Sequence, residues 1–573
     1  MRHPQSCEGR HSLSSISPHM AGRQPSRGPH RRRPLSRSLA NGCGPCQPHP
    51  MTSQPVPDLP AQAEVVVVGA GHNSLIAAAY LARAGLEVLV LEANETPGGN
   101  TRTEQLTLPG FAHDSCSSAH VLIQNNPLIR DDELGLLADH GLEYLATDPA
   151  VVMPQQDGDV LVMHRDLEGT AAEIARWSSA DARAFEELVG QWRGGLSAAH
   201  GRWSSHLPQP DDDASRRYLA LRRRSAWDVV HEQFTHPVIR SFVLWLAMAT
   251  IQDPRRPGTG FLPSSLVAGR LDFGWSTPVG GSQALPDALV RLIEKHGGRV
   301  VCSSPVTGIG ADSSGVRTVR VAGGQEVRVG RAVVAGGHVA KLGALLEGRE
   351  PTPDLVAARE AWRPGLSVLA VHAALRADLG FGPDRIPAAA AGLGTTGGML
   401  RHLERFAVGE PDADDPWLLV VNQTAVDPTR APDGGGTFKI LTIAPYALSG
   451  GRAWADVKDE YGERLLELVR RRSHGLAPAD LLELSTESPI DVAAHNPQNI
   501  GGSCHGGEFW LDGRYDGEVV AGWQRYDTDV PGLFLTGATV HPGGSVSGRP
   551  GRNAARAVLT GLGLDPLQVM GPG

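Results

Sequence analysis

The sequence predicts an α/β fold built on a Rossmann-like unit, with α+β character in the middle of the chain. Three stretches carry that prediction. The first, Glu64 to Asn100 (EVVVVGAGHNSLIAAAYLARAGLEVLVLEANETPGGN), has a strand–turn–helix–strand pattern. The second, Gly298 to Ala335, reads as short strands around a glycine-rich turn. The third, Pro531 to Leu559 (PGLFLTGATVHPGGSVSGRPGRNAARAVL), reads as a strand, a small-residue loop and a helix.

In the first stretch, Val65–Val68 is a β-branched run of the kind expected for a strand buried on both faces. Gly69-Ala70-Gly71 makes the turn. Residues 73–84 then place Leu75, Ala78, Ala79 and Ala82 at helical spacing, and Gly85 stops the helix. Leu86–Leu91 is the second strand and ends in Glu92. Gly69 permits the tight turn, and Gly71 lets the backbone approach a pyrophosphate. The N–H groups that open the helix, at His72, Asn73 and Ser74, face the same anion. Glu92 lies 21 residues beyond Gly71, where an acid can bind ribose hydroxyls. Ser74 occupies the third glycine position, which serves helix–strand packing, and serine is small enough for it. The unit is therefore a Rossmann-like, dinucleotide-binding βαβ. A second glycine pair, Gly98-Gly99, follows the acid and lets the backbone approach the cofactor where no Cβ intervenes. A second fingerprint for a pyridine nucleotide is missing: Ala332–His338 (AVVAGGH) has no G-x-G.

In the second stretch, Gly298–Val306 and Glu326–Ala335 read as strands, and Gly308–Val321 fits a small hairpin. In the third, Leu533–Thr536 is a strand, Gly537-Ala538 turns the chain, and His541–Gly548 is a loop of small residues. Asn553–Leu559 then opens a helix, whose N-terminus can stabilise negative charge.

These segments resemble the phytoene desaturase-related FAD-dependent oxidoreductases. The branch in question holds the O-type β-carotene ketolases and pyridine nucleotide-disulfide oxidoreductase domain-containing protein 2. GAGHNSLIAAAYLARAG is similar to that branch's opening and HPGGSVSGRPGRNAAR to its closing motif. Trp275–Leu289 and Thr424–Tyr446 match two segments between them. The resemblance implies FAD as cofactor, with contacts at Gly69, Gly71, Glu92, Gly98, Gly99, Val306, Gly537, Gly544 and Val546. The Val306 contact would be a backbone contact to the adenine. It further implies a cofactor domain over 61–105, 271–344 and 501–565, and a substrate domain over 106–270 and 345–500.

The flavin accepts hydride, so the protein binds, aligns and excludes water. His541, in the loop expected near the flavin ring, is the first choice of general base, and His505 the second. The competing role for His541 is to pack or cap its loop. The favoured reading is oxidation of a lipophilic, carotenoid- or isoprenoid-like small molecule. The alternatives are an amine-oxidase-like enzyme with a small polar substrate, and a non-catalytic binding protein of the GDP dissociation inhibitor type, which shares this fold.

Composition bounds the rest. The chain has 573 residues, 41% hydrophobic and 20% charged, and a formal net charge of -9, which gives no reason to expect nucleic acid as a partner. Residues 1–60 are rich in Pro, Ser, Arg and His with only Glu8 and Asp58 as acids, and are expected to form a disordered extension. Met51 is the expected start of translation. Cys43-Gly44-Pro45-Cys46 copies a redox motif but lacks the flanking strand and helix that its chemistry needs. Scattered cysteines point to the reducing cytoplasm, and the prolines rank a mitochondrial transit peptide below it. Val238–Ile251 is too short to span a membrane and reads as a buried helix, with one-sided membrane contact as the alternative. Trp192, Trp203, Trp227 and Trp245 are read as core before tunnel lining, and Asp211–Asp213 and Asp412–Asp415 as solvated loops.

Overall fold

The computed structural model describes residues 58–509 and 526–571. The Cys43–Cys46 motif, Met51 and all but the end of the N-terminal extension lie outside the described residues. The first sheet is built on β1 (Gln62–Val68), which is followed by helix α1 (His72–Arg83) and β2 (Val88–Leu91). Helix α2 (Ala284–Lys295) leads into β3 (Arg299–Val301), and β4 (Val306–Asp312), β5 (Gly315–Val321), β6 (Glu326–Ala335) and the short β7 (Leu346–Glu347) follow. The chain returns to this sheet with β8 (Leu533–Leu535), and helix α3 (Arg549–Gly561) closes it. The strand order is β7-β4-β5-β6-β1-β2-β3, with β8 also on β6. Strands β1, β2, β3, β6 and β8 are mutually parallel, and β4–β5–β6 runs antiparallel.

The valines of β1 explain its central place. Val65, Val66 and Val67 are fully buried, since helices cover both faces of a parallel sheet. Helix α1 is buried along most of its length and packs against α3. A Cβ on Gly551 would overlap the carbonyl oxygen of Asn73, so the helix backbones meet closely there. Tyr80 of α1 donates to Glu133 at 2.5 Å, and Arg552 of α3 grips the same carboxylate at 2.8 and 2.7 Å. Burial opposes ionisation of Glu133, but hydrogen bonds from Arg552 and Tyr80 outweigh it and hold the pKa below its ordinary value.

The second sheet has seven strands, in the order 481–487, 368–375, 436–443, 418–422, 390–393, 151–154, 160–163. Its pairs are antiparallel except for 390–393 with 151–154. One face packs against Pro237–Met248 and Leu262–Phe273, and the other against Trp454–Arg470. The apolar run read as a buried helix is one: Trp245 is fully buried and donates to the Leu418 carbonyl at 2.8 Å. No helix among the described residues is long and apolar enough to cross a membrane.

Two local expectations need correction. The last helix starts at Arg549, not Asn553, because Pro550 falls in its first turn, where a missing N–H is harmless and φ is preset. The Asp412–Asp415 run is not a purely solvated loop: Asp412 is 1% exposed and accepts from Arg401 at 2.8 Å.

Replacing Glu133 by Gln would leave the buried Arg552 guanidinium without its counter-charge. The expected loss is about 3 kcal/mol of stability, from the cost of an orphaned buried charge. Chemical denaturation checks it; an unchanged midpoint would show that the α1–α3 tie is energetically idle.

Candidate functional site: a dinucleotide turn opening on an apolar cavity

The turn after β1 is held by its own backbone and by Glu92. The Ala70 N–H donates to Glu92 Oε2 at 2.6 Å, and Asn94 donates to Oε1 from both backbone and side chain at 2.9 Å. A carboxylate has about four acceptor sites, so Glu92 retains capacity for a ribose hydroxyl. The Gly98 N–H donates to the Ala70 carbonyl at 2.8 Å, which brings the second glycine pair onto the first turn. Gly98 has φ 126° and its Cβ would lie 2.7 Å from the Thr101 carbonyl, so this position requires glycine. Gly71 caps α1 with no side chain, and the Leu75 N–H makes the bond back to the Gly71 carbonyl. The preceding N–H groups are therefore the open anion-binding end of the helix. A Cβ on Gly69 or on Gly71 would meet nothing within 4 Å. That free volume beside unspent donors fits a pyrophosphate. Ser74 is accommodated because its neighbour on the end of β6 is Gly336: a Cβ there would overlap the Ser74 hydroxyl. The missing third glycine is thus compensated across the helix–strand contact.

The turn opens on a cavity of about 190 Å³. Gly71, His72, Asn73, Ser74, Gly99, Gly537 and Val546 line it, as does His505. Gly544 lines a second cavity of about 110 Å³, which shares Val121, Leu122, Thr250, Leu266 and Ser545 with the first. Gly69, Glu92, Gly98 and Val306 line neither. The first three form the turn and its support, and Val306 begins β4 just after Ser304, whose N–H donates to the Glu92 carbonyl at 2.7 Å. Asn73 already spends its Oδ1 on the Gly551 N–H at 3.3 Å. Of the tryptophans, Trp192 and Trp203 line the second cavity, Trp245 is core, and Trp227 stacks on His231.

His541 lines neither cavity. It is 3% exposed, its Nε2 lies 2.7 Å from the Trp203 carbonyl, and its ring packs edge-on to Trp203 at 4.3 Å. Burial lowers its pKa to about 3. That geometry is the loop-packing role, not that of a base facing a substrate. His505 does face the cavity, with burial lowering its pKa to about 4.

Sequence reasoning missed several cavity residues. Asn100 follows the second glycine pair and exchanges hydrogen bonds with Asn496 and Asn499 at 2.8 to 3.2 Å. Lys439 is one of only four lysines and sits inside the apolar strand Gly436–Ile443, a signal that was there to read. Its Nζ donates to the carbonyls of Asp114 and Cys116 at 3.1 and 2.5 Å and reaches Ser118 Oγ at 3.2 Å. Burial lowers its pKa. Cys116 and Cys504, which nothing in the sequence pairs, are free thiols on this cavity, and Cys504 Sγ lies 3.2 Å from His505 Nδ1. The neighbouring Cys116 and burial hold Cys504 well above the ordinary thiol range.

Open helix N–H groups beside a glycine turn, a carboxylate holding that turn and a cavity beyond the carboxyl end of the central strand suit an FAD-dependent oxidoreductase. The comparisons with known proteins agree. Residues 75–559 match the family described as flavin containing amine oxidoreductase, and the chain belongs to that family. It is 27% identical to mouse pyridine nucleotide-disulfide oxidoreductase domain-containing protein 2, over 87% of this chain and 94% of that one. It is 26% identical to a limonene dehydrogenase polypeptide of Castellaniella defragrans (88% and 96% covered). It is 28% identical to hydroxyneurosporene desaturase of Cereibacter sphaeroides (87% and 98%). Among solved structures, a putrescine oxidase variant superposes with a TM-score of 0.59 at 17% identity, covering 88% of this chain and 99% of that one. Cyclohexylamine oxidase of Brevibacterium oxydans gives 0.54 at 18% identity, with 88% and 100% covered. These two share the fold.

Gly71→Trp is expected to purify without flavin, since the indole would fill the pyrophosphate's place; the ratio of flavin to protein absorbance reads it. A variant with full flavin content would refute the site. A pH effect is also expected. Burial heads the causes that lower eight histidines among the described residues to about 3 or 4: His72, His113, His120, His200, His338, His402, His505 and His541. The unfolded chain binds those protons below about pH 6.5 and the folded chain refuses them, so stability falls as pH drops from about 6.5 toward 4. Denaturant melts across that window should show it, and a flat profile would contradict the buried neutral state.

Proposed function

We propose that this enzyme oxidises a lipophilic, isoprenoid-like substrate by hydride transfer to FAD. The observation that carries this reading is the chemistry of the first cavity's wall. Leu122, Leu266, Trp275, Leu419, Val421 and Leu441 supply apolar surface, and no Asp or Glu is among the described lining residues. A protonated amine entering this space would find Lys439 and Arg270 instead of a carboxylate, and like charges repel. The names of three relatives point the same way: limonene dehydrogenase, hydroxyneurosporene desaturase and phytoene desaturase.

FAD, when bound, supplies the hydride acceptor. The α1 N-terminus and Glu92 hold its phosphate and ribose end, with Gly98, Gly99, Gly537, Gly544, Val306 and Val546 completing the contacts. The cofactor domain comprises 61–105, 271–344 and 501–565; segments 106–270 and 345–500 form the substrate domain. The apolar wall of the first cavity excludes water from the reacting carbon, and Lys439 fixes the 114–118 segment that forms part of it. With His541 turned away, a proton lost during desaturation leaves by His505 or solvent. His505 lies on the cavity and is neutral at pH 7, so it can accept.

The test is anaerobic reduction of the purified flavoprotein. Phytoene or limonene in detergent is expected to bleach the oxidised flavin band, and putrescine and cyclohexylamine are expected to leave it intact. Bleaching by the amines alone would replace this reading with the amine-oxidase one.

A further inference from the structure

Arg270 sits on the helix Leu262–Phe273, one turn after Leu266, and both line the first cavity. Its side chain is almost wholly buried, at 4% exposure. The Nε and Nη1 atoms are closed off from solvent with no hydrogen-bond partner. The guanidinium lies 4.6 Å from the centre of the Trp275 ring, a contact that offsets charge but satisfies no N–H donor. Burial lowers its pKa to about 10, so it stays cationic at neutral pH. A buried charge without a counter-ion is strongly unfavourable, and proteins retain one where a ligand completes it.

Lys439, the other cation on this cavity, provides the contrast. Its ammonium meets three oxygens of the 114–118 segment and is complete without a ligand. With no Asp or Glu among the described lining residues, Arg270 has no carboxylate on the cavity wall to turn to. Two anions could fill the gap: the pyrophosphate of FAD or an acid group on the substrate. The pyrophosphate already has the first turn of α1. Arg270 instead stands between Leu266 and Trp275, on the wall assigned above to an apolar molecule.

We propose that Arg270 receives a carboxylate of the substrate, which is therefore an apolar acid with an isoprenoid-like body. A guanidinium is suited to this because its fork of N–H groups matches a carboxylate. This inference rests on the lipophilic-substrate reading and narrows it.

The test compares geranic acid, geraniol and geranylamine, which share one skeleton, as ligands of the purified holoprotein, read by perturbation of the flavin spectrum. Geranic acid is expected to bind about tenfold or more tighter than geraniol, as a charge-assisted hydrogen bond supplies. That ratio is expected to fall to about one in Arg270→Met and to survive in part in Arg270→Lys, because only the latter keeps the charge. Flavin content should match the wild type in both variants. Equal binding of the acid and the alcohol to the wild type would overturn the Arg270 proposal and leave the lipophilic reading standing. Tightest binding by the amine would overturn both. Loss of flavin from Arg270→Met, with the acid still no better than the alcohol on wild type, would assign the guanidinium to the cofactor's pyrophosphate. The wild-type comparison needs no variant, so a folding failure in either one leaves the test intact.

Discussion

The backbones of α1 and α3 meet at their first turns, and the proposed cofactor site depends on that approach. Gly551 makes it possible, since any Cβ there would strike the Asn73 carbonyl. Glu133, Tyr80 and Arg552 lock the crossing with a buried ion pair and a short hydrogen bond. The contact places two helix openings side by side beyond the parallel sheet: one beside the glycine turn after β1, the other at the loop before Arg549. Two positive dipole ends then face the place proposed for the cofactor's pyrophosphate.

Close backbone packing recurs around this point and explains the one irregularity in the glycine fingerprint. A serine at position 74 would separate α1 from the sheet if residue 336 carried a side chain. Because Gly336 does not, the Ser74 hydroxyl fills the space. The third-glycine requirement has moved from the helix to the strand facing it, and the distance between them is kept by that exchange.

The cavity beyond the turn is defined by charge as much as by shape. Its histidines are held neutral, its lysine is saturated by carbonyl and hydroxyl oxygens, and acidic side chains are missing from its described walls. An environment of this kind suits hydride chemistry on an apolar molecule, where water and stray protons would divert the reaction. The same scarcity of compensating charge makes Arg270 conspicuous.

The βαβ unit, the glycine turn after β1 and the acid that ends β2 are legible in the linear chain. Each is written in local periodicity and in residues whose backbone freedom or size admits few alternatives, so Gly69, Gly71 and Gly98 can be read without neighbours. Strands 368–375, 418–422 and 436–443 of the second sheet are legible too, because buried strands are apolar runs. The direction of the side chains that serve the site emerges only with the fold. His541 stands in the right loop yet turns toward Trp203, and a loop's sequence does not fix which way its ring points. Cys116 meets Cys504, and Asn100 meets Asn499, across nearly 400 residues of chain. Arg270 looks like any arginine on an amphipathic helix until the fold buries it with its Nε and Nη1 unpaired. Long-range contacts of this kind come from packing, which depends on the whole chain at once and leaves little local trace.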